Sequence, residues 1–237
     1  MILSSLSMTL PLSRLASGLR FAKLSSVSPL KLHVSTAMCV THCSLELCSC
    51  FPTKGVGVRF MNDPSLLDNT KSTKEINDLF MQVQPMGTAM ISRKLLALIN
   101  DHNARSLQAQ KISQKALYDV KPLNIVVLTD GDFMETPAAI LRRIGPAIQI
   151  TRQIETPQDV ERRIGIQFVQ IGNDAAATEA LEALDNALPD DEDMIDTVRW
   201  EGKLTPARLY KILLGAVHGD LDSSGRETPS FFLARGI

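Results

Sequence analysis

Acidic residues are missing from the start of this chain: no Asp or Glu precedes Glu46. The same stretch is rich in Ser and carries Arg14, Arg20, Lys23 and Lys31. A basic, acid-free leader has the composition of a mitochondrial-type transit peptide or a disordered extension, not of a packed domain. Aromatic residues are also scarce, at 5%, so the core is to be built from Ile, Leu, Val and Ala. No apolar run approaches the ~18 residues of a membrane span. The net charge of −1 supplies no field for a nucleic acid or a membrane surface. No G-x-G-x-x-G follows any predicted strand, which removes the dinucleotide enzymes. Nothing offers a Ser-His-Asp set.

The four cysteines, Cys39, Cys43, Cys48 and Cys50, fall close together with His33 and His42 nearby. Their C-x3-C-x4-C-x-C spacing fits no common zinc-ligand pattern. There is no secretory signal and no disulfide framework, which favours the cytoplasm. The mitochondrion is the alternative if residues 1–45 are a genuine transit peptide.

Residues 1–54 show no clean period. From Gly55 the pattern sharpens. Val56 to Met61 alternates and reads as a strand, ended by Asn62-Asp63-Pro64. Ser72 or Thr73 caps a helix through about Gln82, with Glu75 in its first turn. Ile91, Leu95, Leu96, Leu98 and Ile99 give an amphipathic helix from about Ala89 to Gln108, followed by a polar connector over 109–122. Residues 123–129 form a buried strand. Pro137 opens a helix over Ala138 to Arg143, which Gly145-Pro146 breaks. A further helix is expected over 157–163, then a strand over Ile164–Ile171. Asp174 caps a helix to about Leu188, Met194–Val198 is a last short strand, and Thr205-Pro206 opens a final helix. Alternating strands and helices predict a doubly wound, mostly parallel α/β sheet, a three-layer sandwich with an incomplete N-terminal part. The expected division is an irregular segment over 1–54, a domain over 55–221 and a loose tail over 222–237.

The most informative stretch is Asn124-Ile125-Val126-Val127-Leu128-Thr129-Asp130-Gly131-Asp132. A buried strand delivers Thr-Asp-Gly to its carboxyl end, where ligands bind in open α/β sheets. A carboxylate there is a candidate ligand for a hard divalent cation.

This stretch resembles the fourth strand of the von Willebrand factor type A domain, particularly the intracellular type common in fungi. Gly55 to Asn62 looks like that family's second strand, and Val83-Gln84-Pro85-Met86-Gly87-Thr88 like the loop carrying its metal-site threonine. Gly165 to Asp174 looks like the fifth strand, and Asp193–Val198 with Leu213–Val217 like the closing strand and helix. The resemblance implies a non-catalytic protein-interaction module built around a metal-ion-dependent adhesion site. Hydroxyl and carboxylate oxygens hold Mg²⁺ or Mn²⁺, and the cation grips a carboxylate of a protein partner. Thr88 and Asp130 match two of the family's elements. The first, Asp-x-Ser-x-Ser, is missing, since no Asp precedes Asp63, and the usual Thr-Pro-Thr-Gly is reduced to Thr88-Ala89-Met90-Ile91. The implied site is therefore degenerate, and the chain as written could hold no metal.

Back-translation offers an account of the missing element. Read one base earlier, codons permitted for Met1 to Leu10 spell an apolar strand running into Asp-Asp-Ser. Met38-Cys39-Val40 admits an intron start and Lys54 an intron end. On this hypothesis residues 1–38 are out-of-frame translation and 39–54 translated intron, and the chain lacks its central strand. Peptides from residues 1–54 in a digest of the native protein would sink it.

An enzymatic alternative rests on the same stretch. An apolar strand followed by Asp130-Gly131-Asp132 resembles a haloacid-dehalogenase-like phosphatase, with Asp130 as nucleophile and Asp132 as general acid/base. Met134 in place of the usual residue and the mid-chain position count against it. Asp132 otherwise reads as a solvated loop residue. His102 and His218 read as surface residues, Trp200 as packing at a strand edge, and Asp190-Asp191-Glu192-Asp193 as a solvated acidic loop.

Overall fold

The computed structural model describes residues 2–4, 56–84, 90–156, 162–188, 194–199 and 211–212. Its strands are β1 (Ile2–Ser4), β2 (Val56–Arg59), β3 (Leu66–Thr70), β4 (Leu123–Thr129), β5 (Ile164–Gln170) and β6 (Ile195–Val198). Its helices are α1 (Thr73–Gln82), α2 (Ile91–Ile112), α3 (Gln114–Asp119), α4 (Pro137–Ile154) and α5 (Ala175–Asp185), and residues 211–212 are also helical.

The strands form one mixed sheet in the order β3-β2-β1-β4-β5-β6. β4, β5 and β6 run parallel, and each successive pair is bridged by a helix, as a parallel connection requires. The other half departs from the mostly parallel expectation. β2 and β3 are antiparallel, because only residues 60–65 join them and no crossover fits in that length. β1 is antiparallel to both its neighbours, β2 and β4. The fold class is therefore mixed α/β.

β1 corrects a second expectation. The sequence offers no regular element over 1–54, yet Ile2–Ser4 fills the place between β2 and β4. Leu3 pairs with Val58 on one side and Val126 on the other. Without it two rows of backbone N–H and C=O groups would face each other unpaired in the middle of the sheet.

The period-2 geometry of β4 distributes its side chains to two cores. Leu123, Ile125 and Val127 pack with Ile91, Leu95 and Ile99 of α2, with Ile140, Ile144 and Ile148 of α4, and with Leu181 and Leu184 of α5. Val126 and Leu128 face the other way, toward Val56, Val58, Ile76, Leu79 and Ile212. Helices thus cover both faces. That is why β4 and β5 are buried along their whole length and read as near-continuous apolar runs.

Helix starts follow local chemistry. Ser72 Oγ accepts from Glu75 N at 3.2 Å to cap α1, Thr136 Oγ1 accepts from Ala139 N ahead of Pro137, and Asp174 Oδ1 accepts from Ala177 N at 2.8 Å. Three other expectations fail. The polar connector after Gln108 is helical: α2 runs on to Ile112, and Ser113 ends it while capping α3. β3 escapes the pattern because most of it faces solvent, and Asn69 breaks its register at φ 53 in a bulge between the Val56–Thr70 and Val58–Leu67 pairs.

The third failure is the break at Gly145-Pro146, since α4 passes through both residues. Ile144, Ala147, Ile148, Thr151 and Ile154 are all buried around them, and this packing outweighs the local penalty. Pro146 lies on the exposed side, where water reaches the backbone carbonyl it leaves unpaired. A Cβ added at Gly145 would meet nothing within 4 Å. Gly145→Ala is therefore expected to stabilise the fold by about 1 kcal/mol, and Pro146→Ala by up to about 3 kcal/mol. Urea denaturation of each variant checks this.

His102 is the clearest correction among the individual residues. It is 1% exposed, not at the surface. It lies on α2 next to Asn103, whose Nδ2 donates to Ala147 O at 2.8 Å and whose Oδ1 accepts from Thr151 Oγ1 at 2.9 Å. Nε2 of His102 has no hydrogen-bond partner among the described residues. Burial, reinforced by the positive charges of Arg105 and Arg163, lowers its pKa to about 4.

Candidate functional site

Asp130 follows the last residue of β4, at the carboxyl end of the strand, as the sequence indicates. Its surroundings are built from short-range contacts. Thr129 is 1% exposed, and its Oγ1 accepts from Gly131 N at 3.0 Å. Its carbonyl accepts from Ile171 N at 2.7 Å, which ties the ends of β4 and β5 together. Gly131 adopts φ +86, and a Cβ there would lie 2.4 Å from Ala177 Cβ. The loop therefore rests directly on the first turn of α5, and only glycine meets both conditions.

The Asp130 carboxylate is half-buried. Its Oδ1 accepts from Asp132 N at 3.2 Å. Burial raises its pKa above the usual carboxylate value, while the backbone hydrogen bonds oppose the rise. Asp132 is exposed, in keeping with a solvated loop residue. Beyond it, Phe133 N donates to Gly131 O at 3.0 Å, and the Phe133 ring meets Phe168 edge-on with centroids 6.2 Å apart.

Glu135 closes the loop, a role that sequence reasoning missed. Its Oε2 accepts from Ser92 N at 3.0 Å, and its Oε1 accepts from Ser92 Oγ. Ser92 lies in the first turn of α2, where Met90 occupies the cap position and makes no side-chain cap bond. Glu135 thus satisfies a helix start 43 residues away in the chain. The sequence pattern starts this helix at about Ala89, directly after Thr88, whereas the structure starts it at Ile91 behind Met90, so the need for a distant acceptor had no local signal.

Thr88, the other expected ligand, lies outside the described residues. So do Cys39, Cys43, Cys48 and Cys50 with His33 and His42, the Asp190–Asp193 run, Trp200, His218, and the starts of the helices expected at 157 and 205. Among the described residues no three His, Cys, Asp or Glu side chains gather as a metal-holding group. No described helix is long and apolar enough to cross a membrane.

The direction of β1 bears on the missing first element. Ile2 pairs with Val127 and Ser4 with Ile125, so β1 runs away from the Asp130 edge. A strand parallel to β4 would instead deliver its following loop beside Asp130. Asp130 is left as one half-buried carboxylate with a hydrogen-bonded Oδ1. Such a donor suits a cation that keeps most of its shell as water, as Mg²⁺ does.

No known protein family, curated protein or solved structure matches the chain.

Proposed function

We propose that this chain is a non-catalytic protein-interaction module, a doubly wound domain resembling the von Willebrand A type, whose Asp130 loop is its binding edge. The observation that carries the reading is the place of Thr129-Asp130-Gly131. It sits at the carboxyl end of β4 in a sheet ordered β3-β2-β1-β4-β5-β6. In α/β sheets ligands bind outside the carboxyl ends of the parallel strands, and Asp130 stands where β4 and β5 end side by side, tied by Ile171 N donating to Thr129 O. Asp130 would hold a Mg²⁺ or Mn²⁺ ion with the hydroxyl of Thr88 and water, and the cation would accept a carboxylate from a protein partner in the cytoplasm. Its charge supplies attraction and orientation, and the loops around it supply specificity.

The test is Mn²⁺ binding to the full chain, followed by electron paramagnetic resonance, alongside a thermal melt. Asp130→Ala is expected to abolish binding and leave the melt unchanged, because the side chain is half-buried and its one described bond lies within the loop. Since burial raises the Asp130 pKa, binding is expected to weaken as pH falls, at a higher pH than for an unshifted aspartate. Equal binding by the wild type and Asp130→Ala would remove the reading. Phosphate release from a model ester, lost in Asp130→Asn, would favour the phosphatase alternative with Asp130 and Asp132.

A further inference from the structure

We infer that the seam between β2 and β4 is a strand-acceptor site: Ile2–Ser4 of the same chain fills it in the monomer, and Ile2–Ser4 of a second copy fills it in a strand-exchanged dimer. The inference does not depend on the reading of Asp130. β1 holds the centre of the sheet with only 3 residues, where strands commonly have about 5–6. It pairs with Gly57, Val58 and Arg59 on one side and with Ile125, Val126 and Val127 on the other. β4 is longer, and Leu123, Asn124, Leu128 and Thr129 extend beyond the stretch that β1 covers. The attachment is narrow, and an identical strand from another copy would make the same pairs. The tether is long: residues 60–65 join β2 to β3, whereas residues 5–55 lie between β1 and β2. At up to about 3.3 Å per residue, that length does not confine β1 to the seam of its own chain. Nor does the seam stay empty once β1 leaves, because two rows of backbone N–H and C=O groups would face each other across it. It refills with whichever identical strand arrives first. Exchange is reciprocal, since each copy gives and receives the same strand, and it closes at two copies. Monomer and dimer keep the same pairs and differ in the tether alone. A tethered strand acts at an effective concentration of about 1 mM or below, so the dimer becomes abundant only as the chain itself approaches that concentration.

The experiment uses the full chain with Cys39, Cys43, Cys48 and Cys50 replaced by serine. Leu3 stands opposite Val126, within the reach of a disulfide. Leu3→Cys/Val126→Cys, oxidised at about 10 μM, far below the effective concentration of the tether, is expected to close a disulfide within one chain. Leu3→Cys and Val126→Cys are then placed on separate chains of different size. Mixed and oxidised at about 1 mM, they are expected to give a linked heterodimer, at least about tenfold more abundant than at about 10 μM. Val126 is 2% exposed, so a foreign thiol reaches it only through the seam. The same variants built on Leu3 and Val58 of β2 repeat the test from the other side, and a thermal melt of each identifies any that does not fold. Closure within one chain, with no heterodimer at the higher concentration, overturns the exchange. A folded double variant that closes no disulfide overturns the placement of the strand and the exchange with it.

Discussion

Replacing Gly131 by alanine is expected to destabilise the fold by about 3 kcal/mol, and the site with it. Two costs add. At φ +86 a side chain strains the backbone by about 1–2 kcal/mol. The new Cβ would also stand 2.4 Å from Ala177 Cβ and 3.0 Å from Ala177 Cα. One of those atoms is backbone, so the clash is not relieved by turning a side chain, and overpacking of this kind costs about 1–3 kcal/mol. The pair can be separated by a double-mutant cycle. Ala177→Gly removes the nearer contact, so Gly131→Ala/Ala177→Gly is expected to recover part of the loss, leaving the backbone strain and the helix cost of glycine. Urea midpoints for the four proteins measure the coupling. Additive losses would show that the loop and α5 are not in contact at this point.

Acid is expected to weaken the fold through His102. Its folded pKa is about 4, against 6.5 for an unperturbed imidazole. The unfolded chain therefore binds a proton that the folded chain refuses. The native state is favoured in full above pH 6.5, loses stability as pH falls from 6.5 toward 4, and loses no more through this group below that. A tenfold difference in proton affinity between the two states is worth about 1.4 kcal/mol, so the whole window amounts to about 3 kcal/mol. His102→Leu is expected to flatten the dependence. It costs no hydrogen bond at Nε2, because that atom has no described partner, and it removes a buried polar atom. The variant should therefore match or exceed the wild type at pH 7 and exceed it clearly at pH 5. A slope between pH 6.5 and 4 that survives in His102→Leu would assign the acid sensitivity to other groups.

His102 also shows where the sequence stops being legible. On α2 it is surrounded by Asp101, Asn103 and Arg105, a run that reads as a solvated face. In fact Asn103 and Thr151 satisfy each other across the seam with α4 and carry polar atoms inside. Polar residues that find a partner 48 positions away leave no local trace. The same holds for α4, where packing by five buried side chains overrides the Gly145-Pro146 signal, and for β3, whose exposed residues have no period to read. Elements that start by local rules were legible: Ser72, Pro137 and Asp174 marked helix starts that the structure keeps. So were β4 and β5, which are apolar because both faces are covered. At the candidate site the position of Asp130 could be read from its strand. The partners of Gly131 and Glu135 could not, because Ala177 and Ser92 approach from other parts of the chain.

The Ser92–Glu135 bonds and the Asn103 bonds to Ala147 and Thr151 have a joint mechanical meaning. Both link α2 to the α4 side, and both advance in the same direction along the two segments, so the helices lie side by side and parallel. At 1.5 Å per residue the two fastenings on α2 are about 17 Å apart. A single fastening would leave a pivot, whereas two at that spacing oppose both sliding and scissoring. The two fastenings therefore fix the register of α2 against α4 as well as their crossing.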